Sequence, residues 1–135
     1  MRVFVDSSAI AALIVKNDQN HRPAVQILRK LTERRVELVI SNFIVAEAYN
    51  LIAVRINPAK AREWFFANTW PVERVSIEDE KQAREILQKY ADKDFSYTDA
   101  TSFALMQRLG CDLAFTYDRH FIQYGLATQE SMIDQ

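Results

Sequence analysis

Short apolar runs alternate with helical stretches along the whole of this chain, and that alternation leaves few folds open. Val3-Phe4-Val5, Glu37–Ile40, Val72–Ile77 and Asp112–Thr116 read as strands, being brief and rich in β-branched or aromatic residues. Between them the pattern predicts helices over Ser7–Val15, about Arg22–Glu33, Asn42–Arg55, a stretch opening at Asn57-Pro58 and running to about Asn68, Ile77 to about Tyr90, Ser96–Leu109 and Arg119–Tyr124. Val25, Leu28 and Leu31 repeat at helical spacing, and Ser41 or Asn42 is placed to cap the third helix. Pro58 suits a first helical position, while Gly110 stops the sixth helix. Alternation of this kind calls for an α/β fold with a mainly parallel central sheet and helices on both faces. The third helix is apolar on nearly every side and is expected to be buried.

At 135 residues the chain supports a sizeable core and one domain, 1–135. Two glycines and three prolines, scattered rather than clustered, leave little room for linkers or long loops. No apolar run is long enough to span a bilayer. An acid at position 6 arrives too early for a signal peptide, and a single cysteine, Cys111, excludes an internal disulfide. A cytoplasmic location is the expectation. The net charge of −1 carries no global signature of nucleic-acid binding, yet a carboxylate cluster subtracts charge where a bound metal would add it. The grouped bases Arg29, Lys30, Arg34 and Arg35, and Arg55, Lys60 and Arg62, read as solvated helix faces.

Four acids stand where such a fold could gather them. Asp6 closes the first strand and Asp118 follows the last, both on the carboxyl side where open α/β sheets collect ligands. Glu47 lies several residues inside the third helix, aligned with Phe43, Leu51 and Val54, and Asp99 shares a stripe with Phe103 and Met106. Asp6, Asp99 and Asp118 each have a capping explanation, the last through Arg119–Tyr124 and Asp99 through a Ser96-to-Asp99 capping box. Glu47 has none, and its structural alternative is a buried salt bridge to an arginine. Carboxylates gathered without histidine or cysteine suit a hard divalent cation such as Mg²⁺ or Mn²⁺, which points to a phosphoryl-transfer site.

Four segments then carry a resemblance: Val3-Phe4-Val5-Asp6-Ser7-Ser8-Ala9, Ser41–Asn50 with Val45-Ala46-Glu47, Phe95-Ser96-Tyr97-Thr98-Asp99-Ala100, and Phe115-Thr116-Tyr117-Asp118-Arg119-His120-Phe121. In this order the chain resembles a PIN domain, the metal-dependent ribonuclease family that includes VapC-type toxins of toxin–antitoxin pairs. The resemblance implies Asp6, Glu47, Asp99 and Asp118 as the acidic quartet, with Thr116 as the hydroxyl beside the last acid. The expected reaction is hydrolysis of an RNA phosphodiester on one or two Mg²⁺ or Mn²⁺ ions, without a side-chain nucleophile. Asp6 and Asp99 are expected as core ligands, Glu47 as ligand or water-orienting base, Asp118 as the completing acid. An antitoxin partner and a homodimer are implied as well.

The remaining candidates rank lower. Asp92 and Asp94 are expected to solvate a loop, His120 to be exposed or packed on the last helix with a general-acid role as the lesser alternative, and His21 to sit in a loop. Trp64, Phe65, Phe66 and Trp70 read as core or as a protein contact rather than as a base-stacking platform, and Arg119 as a phosphate contact. A phosphatase with an aspartyl nucleophile would need a second aspartate where Ser8 stands. A phosphorylatable receiver domain would need a lysine and an acceptor that cannot be placed. A stand-alone RNA-processing nuclease and a PIN-like module that binds RNA or protein without cutting remain as alternatives.

Overall fold

The computed structural model describes residues 1–132, and its elements follow the predicted alternation. They are β1 (Arg2–Val5), α1 (Ser7–Ile14), α2 (His21–Glu33), β2 (Glu37–Ser41), α3 (Asn42–Arg55), α4 (Pro58–Ala67), β3 (Val72–Glu73), α5 (Ile77–Lys89), α6 (Tyr97–Leu109), β4 (Leu113–Phe115) and α7 (His120–Tyr124). A 3₁₀ turn over Gln129–Met132 follows. The four strands lie in the order β3-β2-β1-β4, and every neighbouring pair is parallel.

That order fixes where the helices go. From β1 to β2 to β3 the chain steps across the sheet in one direction, then returns past β1 to β4. Right-handed crossovers therefore put α1–α4 on one face and α5 and α6 on the other. Helix contacts fall into the same two groups, α1 with α2 and α3, α3 with α4, and α5 with α6. The reversal sits between β1 and β4, the switch point outside which ligands gather in such sheets.

Local chemistry explains most boundaries. Ser41 Oγ accepts the Ile44 N–H at 3.1 Å, and Asn57 Oδ1 accepts the Lys60 N–H at 2.8 Å ahead of Pro58. Both Ser76/Asp79 and Ser96/Asp99 form complete capping boxes. Gly110 closes α6 in the left-handed conformation, φ 66°.

Three expectations need correction. The third strand is two residues rather than six, because the Val75 N–H donates to Asn42 Oδ1 at 2.8 Å and Ser76 is already the cap of α5. Helix α3 is not buried all round; only Ile44, Ala48 and Ile52 are, while Val54 is 85% exposed. The helix that is buried is α6, where every residue from Asp99 to Met106 is enclosed. Its two buried hydroxyls cost little, since Thr101 and Ser102 each donate to the Thr98 carbonyl at 2.8 Å. Around it Phe103 meets Phe121 edge-on at 5.0 Å and stacks on Tyr124 at 4.5 Å. Third, His21 opens α2 rather than lying in a loop, and its Nδ1 pairs with the Ala12 carbonyl at 2.8 Å.

Candidate active site

Strand β1 ends in a fully enclosed Val3-Phe4-Val5, so Asp6 leaves the sheet at its carboxyl edge with 3% of its surface exposed. Its N–H donates to the Phe115 carbonyl at 2.9 Å, which joins the ends of β1 and β4 across the switch point. The expected capping role fails: Asp6 occupies the N-cap position of α1, yet its side chain makes no cap hydrogen bond. Its Oδ2 instead accepts the hydroxyls of Ser8 at 2.7 Å and Thr116 at 2.9 Å. Burial, with the charges of Glu47 and Asp118 adding to it, pushes the Asp6 carboxyl up to about 6 against the pull of those two hydroxyls.

Thr116 is the hub between two acids. Its Oγ1 donates to Asp6 and accepts the Asp118 N–H at 2.9 Å. Its own backbone is held from behind, where Gln129 Oε1 accepts the Thr116 N–H at 3.0 Å and Gln129 Nε2 donates to its carbonyl at 2.7 Å. Ser8 Oγ takes the Tyr117 N–H at 2.9 Å, so α1 and the β4 exit loop are stitched together under the site.

Glu47 is half-buried, on the wall of a shallow cleft lined by Asn42, Phe43, Ala46, Asn50 and Thr98. The salt-bridge alternative does not hold; Ser7 Oγ donates to Glu47 Oε1 instead. Asp99 does act as a cap, since its Oδ2 accepts the Ser96 N–H at 3.0 Å. The same oxygen stands 2.7 Å from His120 Nδ1, and that nitrogen lies 3.2 Å from Asp118 Oδ1. Asp118 also accepts the His120 N–H at 2.9 Å, so its capping role is real but partial. His120 thus corrects its expectation: it does pack on Phe95, ring centroids 5.5 Å apart, but it points into the acids rather than away from them.

Among the described residues, the acids share a pattern. Each is tied through one oxygen and carries no hydrogen bond on the other: Asp6 through Oδ2, Glu47 through Oε1, Asp99 through Oδ2, Asp118 through Oδ1. No lysine or arginine among the described residues forms an ion pair with any of the four. Asp79 is the contrast, since Arg108 engages both its oxygens at 2.9 Å and Ser76 adds an N–H. Burial alone would raise the Asp79 carboxyl, but the hydrogen bonds from Arg108 and Ser76 outweigh it and hold it below the ordinary range. Among the described residues, Asp99, Asp118 and His120 each offer one metal-type donor atom within 4.8 Å of the others.

Other candidates fall away from this cluster. Asp92 and Asp94 are exposed, with Asp92 paired to Lys93 at 3.5 Å. Arg119 is exposed beside Asp118. Cys111 is half-buried, and burial pushes its thiol up to about 11, which removes it as a nucleophile at neutral pH. What sequence reasoning missed is Ser8 as a bridge, Gln129 as a clamp and the contact of His120 with both Asp99 and Asp118.

A carboxylate cluster without lysine or arginine partners lies outside the switch point of a parallel sheet, an arrangement whose chemistry suits a divalent cation. The chain belongs to the PIN-domain family, whose profile matches residues 3–126. It is 31% identical over 127 residues to the 23S rRNA-specific endonuclease VapC20 of Mycobacterium tuberculosis, covering 91% of this chain and 94% of that protein. The crystal structure of that VapC20, described as a sarcin–ricin loop cleaving toxin, superposes with a TM-score of 0.81 at 29% identity, over 93% of this chain and 96% of that one. FitAcB from Neisseria gonorrhoeae shares the fold, with a TM-score of 0.69 at 17% identity, over 93% and 95% of the two chains. No helix among the described residues is long and apolar enough to cross a membrane.

Proposed function

We propose that this chain is a metal-dependent RNA endonuclease acting as the toxin of a toxin–antitoxin pair. The observation that carries the chemistry is the one-sided tethering of Asp6, Glu47, Asp99 and Asp118, each held through one oxygen with the other left for a ligand. These residues fit Mg²⁺ or Mn²⁺: the donors are mostly carboxylate oxygens, their charge is unmatched by lysine or arginine, and neighbouring donors fix their orientation. When bound, one or two such ions supply a nucleophile from water near neutral pH and neutralise charge on the phosphoryl and leaving oxygens.

The chain's own residues divide the remaining work. Asp6 and Asp99, the two most buried of these four acids, are assigned as core ligands. Glu47, half-buried and fixed by Ser7, holds an ion or orients the attacking water. Asp118 completes the set. Thr116 aims Asp6 and Asp118 rather than touching phosphate, because its hydroxyl is committed to both. Arg119, exposed next to Asp118, contacts the substrate backbone.

RNA as substrate is supported by the named activity of VapC20, and ribosomal RNA is the class to test first. Such a substrate and the reduced Cys111 agree with a cytoplasmic location. A protein partner is supported by an apolar groove of about 850 Å³ that includes Val45, Tyr49, Trp64, Phe65, Phe66 and Trp70. An antitoxin and a second copy of the chain are the two partners assigned to this protein. The deciding experiment incubates the chain with ribosomal RNA in Mn²⁺, Mg²⁺ or EDTA and maps the cut ends. Discrete cleavage that needs a divalent ion and disappears in Asp99→Asn is expected. Cleavage that persists in EDTA, or at the parental rate in Asp99→Asn, would overturn the reading.

A further inference from the structure

We infer that His120 is a ligand of the metal site, adding one imidazole nitrogen to the carboxylates of Asp99 and Asp118 and turning the site's preference toward Mn²⁺ over Mg²⁺. The inference rests on the metal-dependent reading above and specifies a donor that the acids alone do not. Among the described residues, the donor atoms that come within 4.8 Å of one another are those of Asp99, Asp118 and His120, two carboxylates and an imidazole. Nδ1 is 2.7 Å from Asp99 Oδ2 and 3.2 Å from Asp118 Oδ1. Adjacent donors around a six-coordinate ion with bonds of about 2.1 Å stand about 3 Å apart, so Nδ1 lies one donor-to-donor spacing from each carboxylate, while Asp99 Oδ1 and Asp118 Oδ2 carry no hydrogen bond.

The ring is also held for that purpose. Its backbone N–H donates to Asp118 Oδ1 at 2.9 Å, its face meets Phe95 nearly edge-on at 74°, and only 26% of the side chain is exposed. A nitrogen locked between two carboxylates has two satisfactory occupants beside it, a proton or a metal ion. Mg²⁺ gains little from nitrogen, whereas imidazole is a good donor to transition metals, and that difference sets the direction of selectivity.

Electron spin echo spectroscopy of tag-free protein loaded with Mn²⁺ reads the ligand directly. The chain has two histidines, and His21 is tied to the Ala12 carbonyl, so the source of a nitrogen signal can be assigned. The parent and His21→Gln are expected to show ¹⁴N modulation of a coordinated imidazole, and His120→Gln to lose it. In His120→Gln the Mn²⁺ affinity should fall about tenfold or more, while the Mg²⁺ affinity measured by competition changes less than about threefold. Mn²⁺ bound to the parent without nitrogen coupling, coupling that survives in His120→Gln, or equal losses for both ions would each overturn the inference and leave the metal-dependent reading standing. Failure of the parent to bind Mn²⁺ at all would overturn both.

Discussion

Asp6 and Asp79 are equally buried, each 3% exposed, and their surroundings send them in opposite directions. Asp79 has a guanidinium, whereas Asp6 has only hydroxyls and two further negative charges. Because the folded Asp6 carboxyl is pushed up to about 6 from the ordinary 3.8, its contribution to stability is present below about pH 4 and lost as pH rises through about 6. In EDTA, thermal melts of the parent should therefore fall across that window. Asp6→Asn should flatten the dependence and gain on the order of 2–3 kcal/mol at pH 7.5, while abolishing metal-dependent cleavage. A variant that melts lower than the parent at pH 7.5 would return Asp6 to a structural role. Asp79→Asn should behave oppositely and lose on the order of 1–2 kcal/mol, as the partly exposed Arg108 weakens the pair. Glu47→Gln should keep its melt, because a side-chain amide can still accept from Ser7, and lose Mn²⁺ affinity in a calorimetric titration. At this scale the four acids stood out because each adjoined an apolar run, and Glu47 lacked even a capping explanation. The pairing of His120 with Asp99 was not legible. The two lie 21 positions apart, and only the α6–α7 packing brings them together.

The elements were legible from periodicity almost to the residue, except where a neighbour's side chain decided the outcome. Strand β3 stops early because Asn42, on a different element, takes the Val75 N–H. Helix α3 was expected to be the buried one and α6 is, since an apolar helix surface does not reveal whether a second helix or solvent lies beyond it. The role of α6 is testable: Phe103→Ala opens its aromatic cluster and should cost about 3–5 kcal/mol in urea unfolding. The 3₁₀ turn had no periodic signal to read, yet it supplies the Gln129 clamp. Gln129→Met keeps much of the volume and strands both the N–H and the carbonyl of Thr116. Its kcat should fall more than its KM rises. An unchanged kcat in a folded variant would show that the loop beside Asp118 needs no such support.

The whole molecule joins the carboxylate-bearing edge of the sheet to an aromatic flank. Phe66 is 80% exposed and Phe65 47%, meeting edge-on at 5.3 Å along a groove that shares Asn42, Ala46 and Asn50 with the cleft holding Glu47. For a homodimer with a Kd of about 1 μM, sedimentation at tens of micromolar should find mostly the dimer, and Phe66→Glu should shift it to monomer. A parent that sediments as a monomer there would remove the dimer and leave the flank to another protein. Sequence could count these aromatics but could not say which way they face, because facing depends on how α4 packs on α3.

The Gln129 clamp has a bearing on how this protein is handled as a reagent. The family profile ends at residue 126, three positions before the amide that braces Thr116. A fragment trimmed to that boundary would keep all four acids and read as an intact nuclease in any alignment. It would nonetheless lack the amide that braces Thr116 between Asp6 and Asp118, and a weak result from such a fragment would reflect the trimming rather than the protein.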